Sequence, residues 1–196
     1  MGTERRWQVI EAGFRGDTDT ARAALGDPEP LVRASALRAL RRIGVLTAAE
    51  IEASSEDPDR EVRRTAAEMA AGEPGADVSR LIDDPEVFVA EMAAWALGER
   101  EHPRDTEIEL LIDRCTSHPE ALVREACAAA LGAIGDSRGL PAILEACRDK
   151  PAVRRRAVLA LAPFDGPEVE AALQHALTDR DWQVRQNAED LISPRD

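Results

Sequence analysis

The residues best suited to metal binding or nucleophilic catalysis are histidines and cysteines, and their spacing favours neither chemistry. Three histidines lie far apart and share no short motif: His102, His118 and His175. Cys115 and Cys127 are twelve residues apart, whereas the paired cysteines of zinc sites are separated by about two to four residues. Cys127 and Cys147 fall on apolar helical stripes, so we expect small core residues there. The sequence therefore predicts no catalytic residue, no metal site and no bound cofactor.

A different set of residues points to binding. Arginines recur along the chain: Arg38, Arg41, Arg42, Arg63, Arg64, Arg124, Arg154, Arg155, Arg156 and Arg185. Guanidinium groups bind carboxylates and phosphates in a bidentate manner, so a positive strip would suit an acidic or phosphorylated peptide. Trp95 lies among charged residues, which is typical of a binding hot spot. Packing of Trp95 against the following helix is the alternative.

The elements that would position these residues belong to a repeat. One ten-residue pattern returns six times, as in LVRASALRAL from Leu31 and LVREACAAAL from Leu122. Each copy contains one anchoring valine: Val32, Val62, Val89, Val123, Val153 and Val184. Successive valines are 27 to 34 residues apart. A fixed motif with this period predicts an array of helix pairs.

Each copy predicts an amphipathic helix, which we call helix B. Small or apolar residues follow the valine at four and eight positions, as Ala36 and Leu40 follow Val32, and this spacing predicts one buried stripe. Asp-Pro pairs such as Asp27-Pro28 precede the helix and are expected to cap it. Five glycines are expected to end helices or to allow tight turns: Gly44, Gly72, Gly98, Gly132 and Gly135. A more acidic helix A lies between the copies.

The residues two and six positions after each valine should lie opposite the buried stripe. In a stacked array they would line one inner surface. Ala34 is one of them, and the first group extends to Arg41. The candidate partner-binding residues are Arg38, Arg41, Arg64, Glu68, Glu91, Trp95, Glu125 and Arg155.

Composition narrows the classes of partner. The formal charge is −13 and only 3% of residues are aromatic, so duplex DNA and anionic membranes are disfavoured partners. The first residues resemble neither a signal peptide nor a membrane span. The number of cysteines is odd and no two of them are closely spaced in the sequence, which favours a reducing cytoplasm over a secreted disulfide framework. We expect a monomer that binds a protein or peptide.

The combination of Asp-Pro, Val-Arg, two small residues and Leu-Gly resembles HEAT repeats, and more narrowly the HEAT-like repeat of phycobilisome lyases. The sequence VREACAAALGAIGD from Val123 is the closest copy. The resemblance implies an all-α fold, a right-handed α-solenoid of about six HEAT-like helical hairpins plus an N-terminal capping helix. The expected ranges within a single domain, 1–196, are a cap at 3–15 and repeats at 17–44, 47–72, 76–99, 104–135, 139–163 and 166–193. Trp7 and Phe14 are expected to cover the open end.

The family also implies a structural ladder of aspartates and arginines between repeats. The matching residues are Asp27, Arg33, Asp57, Arg63, Arg124, Asp149, Arg154, Asp179 and Arg185. The third copy has Asp84 but Ala90, so the ladder is expected to break there. The function implied most directly is a non-catalytic interaction scaffold. A bilin-lyase-like subunit, and less favourably a nucleic-acid-binding protein, are the alternatives.

Overall fold

The computed structural model describes residues 2–193, and all regular structure in that part of the chain is helical. The predicted all-α fold class is confirmed. By contacts between Cα atoms the chain forms two compact units, one ending at Ala96 and the other beginning at Leu97.

The first unit contains the N-terminal helices. They are α1 (Gly2–Arg15), α2 (Thr18–Ala23), α3 (Pro30–Ile43), α4 (Ala48–Ser54), α5 (Arg60–Ala70) and most of α6 (Val87–Gly98). Helix α1 packs on α3, and α3 packs on α5. A 3₁₀ segment, Ser79–Asp83, replaces helix A before α6.

The second unit contains the remaining helices. They are α7 (Asp105–Ser117), α8 (Ala121–Ile134), α9 (Leu140–Ala146), α10 (Pro151–Ala160), α11 (Pro167–Ala176) and α12 (Trp182–Ile192). Helix α8 packs on α7 and α10, and α10 packs on α12. The helices B of the six copies are therefore α3, α5, α6, α8, α10 and α12.

The predicted apolar stripe forms the core. Val32, Ala36 and Leu40 are buried together in the first unit, and Val123, Cys127 and Leu131 are buried in the second. Because these stripes are made largely of alanine, valine and leucine, the helices can approach one another closely. The last stripe departs from this pattern, since Ile192 at the end of α12 is exposed.

Two further expectations about exposure were wrong. Ala34 is buried rather than free, because it belongs to the core around Leu37 and Val62. Trp7 and Phe14 do not cover the first repeat, since both are about two-thirds exposed. The close packing between α1 and α3 is made by smaller residues, among them Val9 and Gly13, while the Phe14 ring lies at the edge of this contact against Arg42.

The aspartates of the Asp-Pro pairs do not cap helix B directly. In α5 the N-cap is Asp59, and Asp57 instead accepts a hydrogen bond from the backbone N–H of Asp59 at 2.9 Å. Pro58 therefore lies in the turn before the helix and not in its first turn. The same turn is built at three other aspartates and, through a ring nitrogen, at one histidine: Asp27, Asp84, Asp179 and His118. This turn leaves the carboxylate available to a neighbouring repeat.

The glycines have two different roles. Gly44 and Gly135 follow α3 and α8 in the left-handed conformation, with φ of 85° and 69°, and end those helices as predicted. Gly132 instead lies inside α8, so the expectation that it ends a helix was wrong. A Cβ atom on Gly132 would lie 2.7 Å from the Cα of Ala160 on α10. This glycine permits close contact between two helices B.

Candidate functional site

The turn geometry that recurs before the helices B creates a ladder of arginine–aspartate pairs. Arg33 donates from Nε and Nη2 to the carboxylate of Asp57, at 2.7 Å each, and from Nη1 to the backbone carbonyl of Asp27 at 2.8 Å. Each guanidinium thus contacts the carboxylate of the following repeat and the backbone of its own. The same arrangement joins Arg63 to Asp84, Arg124 to Asp149 and Arg154 to Asp179.

The ladder has one rung that the sequence analysis missed. Arg5 on α1 donates from Nε and Nη2 to Asp27 at 2.8 and 3.0 Å. Gly13, also on α1, lies against Ala39 of α3 as Gly132 lies against Ala160. Helix α1 therefore occupies the position of a helix B. The signal was present in the sequence, because Arg5 precedes Arg33 by 28 residues, which is close to the repeat period.

Two arginine positions of the ladder differ from the others. Ala90 replaces arginine on α6 and is fully buried, so α6 contributes no guanidinium. Arg185 donates from Nη1 to the backbone carbonyl of Asp179 at 2.7 Å, but no carboxylate within residues 2–193 contacts it. Where the carboxylate is present, the ladder arginine thus connects its own repeat to the following one.

The ladder lowers the pKa values of two of its carboxyl groups in the second unit. Hydrogen bonds from Arg124 and Arg154 lower the pKa values of Asp149 and Asp179, respectively, against the opposing effect of burial. Their folded-state pKa values thus lie below the unfolded value of about 3.9. The carboxylates therefore stabilise the fold above that pH, and this contribution is lost as the pH falls through the folded-state pKa values.

This linkage gives a testable expectation for Asp179→Asn. The wild-type free energy of unfolding should fall as the pH drops below the unfolded value of about 3.9, and the variant should show a shallower fall because one linked carboxyl group is gone. Urea unfolding at a series of pH values measures both slopes. Asp165→Asn, at an exposed position, is the matched control and should retain the wild-type slope. An equally steep fall in the Asp179 variant would contradict the linkage.

The face of helix B away from the core carries most of the candidate binding residues. In the first unit, the Arg38 side chain on α3 lies 3.6 Å from Glu61 and 3.2 Å from Glu68, both on α5. Glu61 occupies the position one before the valine, so this position belongs to the same face. That position was not predicted to lie on the face, although a separation of seven residues brings a helix back to nearly the same side.

On α6 the residue one before the valine is Phe88, so Phe88 also lies on the face of helix B away from the core. Phe88, Glu91 and Trp95 follow one another along α6 with the spacing i, i+3, i+7, which places them on one side of the helix. Phe88 is 64% exposed and Trp95 is 42% exposed, while Glu91 is half-buried. Among residues 2–193, Glu91 has neither a hydrogen bond nor an ion pair from its side chain. We call these three residues the α6 cluster.

The expected positive strip is largely neutralised by nearby carboxylates. Arg38 is paired with Glu61 and Glu68, and Arg64 lies 3.4 Å from Glu61. Arg41 donates to the backbone carbonyl of Gly72 at 3.0 Å. The guanidinium of Arg42 lies 4.1 Å above the centre of the Phe14 ring, a cation–π contact. An acidic ligand would therefore compete with existing contacts at most of these arginines.

The corresponding residues of the second unit are also paired. Arg155 contacts Asp181 at 2.6 Å, and Glu125 lies 3.8 Å from Arg156. The side chain of Asn187 donates to the backbone carbonyl of Arg155 at 2.9 Å. Glu125 occupies the same position on α8 as Glu91 on α6, but the aromatic residue of α6 is replaced by Ala129. Within this unit, the face therefore has no aromatic counterpart to the α6 cluster.

A groove of about 1120 Å³ lies elsewhere in the second unit, between α9 and α11. Small side chains such as Ala146 and Ala172 line it, together with Cys115 and Cys147. Burial raises the pKa of both thiols to about 12, so they are protonated at neutral pH. A protonated thiol is a poor nucleophile, and the groove is therefore no candidate for thiolate chemistry.

Two classes of site can be tested against the described residues directly. No cluster of three or more potential metal ligands occurs within residues 2–193. No helix in that range has the length and apolar character needed to cross a bilayer. The surface that remains as a candidate is the free face of the helices B.

Comparison with known proteins identifies the class of fold. The chain resembles a designed armadillo repeat protein in complex with the peptide (KR)4, with 17% identity and a TM-score of 0.61, over 88% of this chain and 96% of that one. It also resembles an engineered protein of the Northeast Structural Genomics Consortium, with 20% identity and a TM-score of 0.59, over 90% and 95% of the two chains. The chain therefore has the fold of helical-repeat solenoid proteins.

Family comparison narrows this class. Residues 76–152 match the family described as HEAT repeats, and residues 153–179 match the PBS lyase HEAT-like repeat. The two adjacent matches together cover more than half of the chain. This protein belongs to the HEAT-repeat family, and the family resemblance of the sequence is confirmed. A search among curated proteins found no match.

Proposed function

We propose that this protein is a non-catalytic scaffold that binds a protein or peptide partner on the free face of its helices B. The observation that carries the proposal is the α6 cluster, where two large aromatic side chains of a helix are exposed on either side of a carboxylate. Large aromatic residues on a rigid surface are the usual anchors of protein interfaces. The repeat fold agrees with this role, because each helix is fixed by its neighbours.

The first unit is the favoured location. Its free face combines the α6 cluster with ion pairs between α3 and α5, which hold Arg38 and Glu68 in place before any partner arrives. A surface that is already ordered loses less side-chain entropy on binding. The three cysteines are free thiols, and we keep the cytoplasm as the proposed compartment and the monomer as the proposed state.

Trp95→Ala tests the proposal. We expect partner affinity to fall by about 1–3 kcal/mol, because the indole would lose its contact area with the partner. Affinity capture with the wild-type chain identifies the partner, and calorimetric titration of that purified partner measures the change. Trp182→Ala is the matched control, because Trp182 is 65% exposed but lies on α12 in the second unit, outside the α6 cluster.

The control separates a local effect from a general one. Circular dichroism should show the same helix content in both variants, because neither indole is buried in the core. Unchanged affinity in a folded Trp95→Ala protein would reject the α6 cluster as the anchor. An equal loss in both variants would indicate a general effect and would likewise contradict an anchor at the α6 cluster.

A further inference from the structure

We propose that the α6 cluster binds the cationic side chain of an arginine or lysine in the partner. This inference rests on the proposed function, since it names the chemistry that the scaffold recognises. It also reverses the preference for an acidic or phosphorylated partner that the arginine-rich sequence suggested. The reason is that the arginines of α3 and α5 on this face are already paired with carboxylates.

The carboxylates of α5 are already occupied. Glu61 lies within 3.6 Å of both Arg38 and Arg64, and Glu68 lies 3.2 Å from Arg38. Glu91 is the carboxylate of this face that carries no ion pair within the described part of the first unit. A cation from a partner can bind Glu91 without displacing an internal guanidinium. An anion would first have to separate Arg38 or Arg64 from its carboxylates.

The aromatic rings on either side of Glu91 suit the same ligand. A guanidinium or ammonium group is attracted to the face of an indole or phenyl ring, and its aliphatic stem packs on apolar surface. Arg42 on Phe14 is an example of this contact within the same unit, with 4.1 Å between the guanidinium carbon and the ring centre. Glu91 adds a charge-assisted hydrogen bond, and the net charge of −13 attracts basic segments at longer range.

Short synthetic peptides provide the test. Three fluorescent peptides share one glycine–serine sequence and differ at two positions, which carry arginine, citrulline or glutamate. Citrulline has nearly the shape of arginine but no charge. Fluorescence anisotropy measures binding to the wild-type chain, to Glu91→Gln and to Trp95→Ala. Glu125→Gln is the matched control, because Glu125 has the same position on α8 without an aromatic neighbour.

We expect the arginine peptide to bind about ten-fold or more tightly than the citrulline peptide, since both the carboxylate and the rings select for charge. Glu91→Gln should remove most of this preference, Trp95→Ala should weaken binding of the arginine peptide, and Glu125→Gln should change neither. The preference should decrease in high salt.

Equal binding of the arginine and citrulline peptides, or tighter binding of the glutamate peptide, would overturn the inference. So would the failure of the arginine peptide to bind at millimolar concentration. These results leave the scaffold proposal standing, because that proposal is tested by the affinity of Trp95→Ala and Trp182→Ala for the captured partner and not by the peptides. The two proposals can therefore fail separately.

Discussion

Replacing Glu107 with alanine should lower the free energy of unfolding by about 3–5 kcal/mol, because it removes a fully buried carboxylate that binds two arginines. The side chain of Glu107 is fully buried, and that of Arg100 is 1% exposed. Arg100 donates from Nη1 to Oε1 of Glu107 at 2.6 Å. The backbone N–H of Arg104 donates to Oε2 at 2.9 Å and its Nε donates to Oε1 at 3.0 Å. Removing one carboxylate therefore affects both arginines and the start of α7.

Urea unfolding followed by circular dichroism measures this effect. Glu109→Ala is the matched control, because Glu109 lies on the same helix and is exposed; its unfolding midpoint should change little. The double variant Arg100→Met, Glu107→Leu should recover much of the lost stability, since replacing both members of a buried ion pair with apolar residues removes the desolvation cost. A Glu107→Ala protein as stable as the wild type would show that the pair contributes nothing to folding.

This ion pair illustrates what the sequence could not reveal. The helices B were predictable because valine, alanine and leucine recur at i, i+4 and i+8, a pattern that depends only on the pitch of a helix. Arg100 precedes α7 and Glu107 lies in the first turn of that helix, and this pair does not recur at the repeat period, so no repetition distinguishes the two residues from other charged residues. Their burial depends on how α7 closes over the turn, which is a tertiary effect.

The ladder and the binding face were predictable in part. The repeat period identifies the aspartates and arginines, but it does not say that each guanidinium contacts the carboxylate of the following repeat. That register depends on the turn in which Asp57 binds the N–H of Asp59 and on the spacing between adjacent helices. The charge of the expected positive strip was mispredicted for a similar reason. The sequence shows the arginines but not the carboxylates, such as Glu61, that the neighbouring helix places beside them.

Gly132→Ala is expected to destabilise the second unit by about 1–3 kcal/mol, because the added methyl group overpacks the contact between α8 and α10. Alanine favours a helix over glycine by about 1 kcal/mol, so propensity alone predicts the opposite sign. The new Cβ would lie 2.6 Å from the Cβ and 2.7 Å from the Cα of Ala160. A Cα atom cannot rotate away as a flexible side chain can, so the two helices must separate, and we expect this cost to exceed the gain.

Gly26→Ala is the control, since a methyl group there meets nothing within 4 Å and should leave stability unchanged or slightly higher. The double variant Gly132→Ala, Ala160→Gly removes the Cβ–Cβ contact and should regain part of the loss. Thermal unfolding of Gly132→Ala, of Ala160→Gly and of the double variant yields the coupling energy of the pair. A stabilised Gly132→Ala protein would mean that α8 and α10 can move apart at little cost. The close approach of helices B would then be a consequence of small side chains rather than a requirement of the fold.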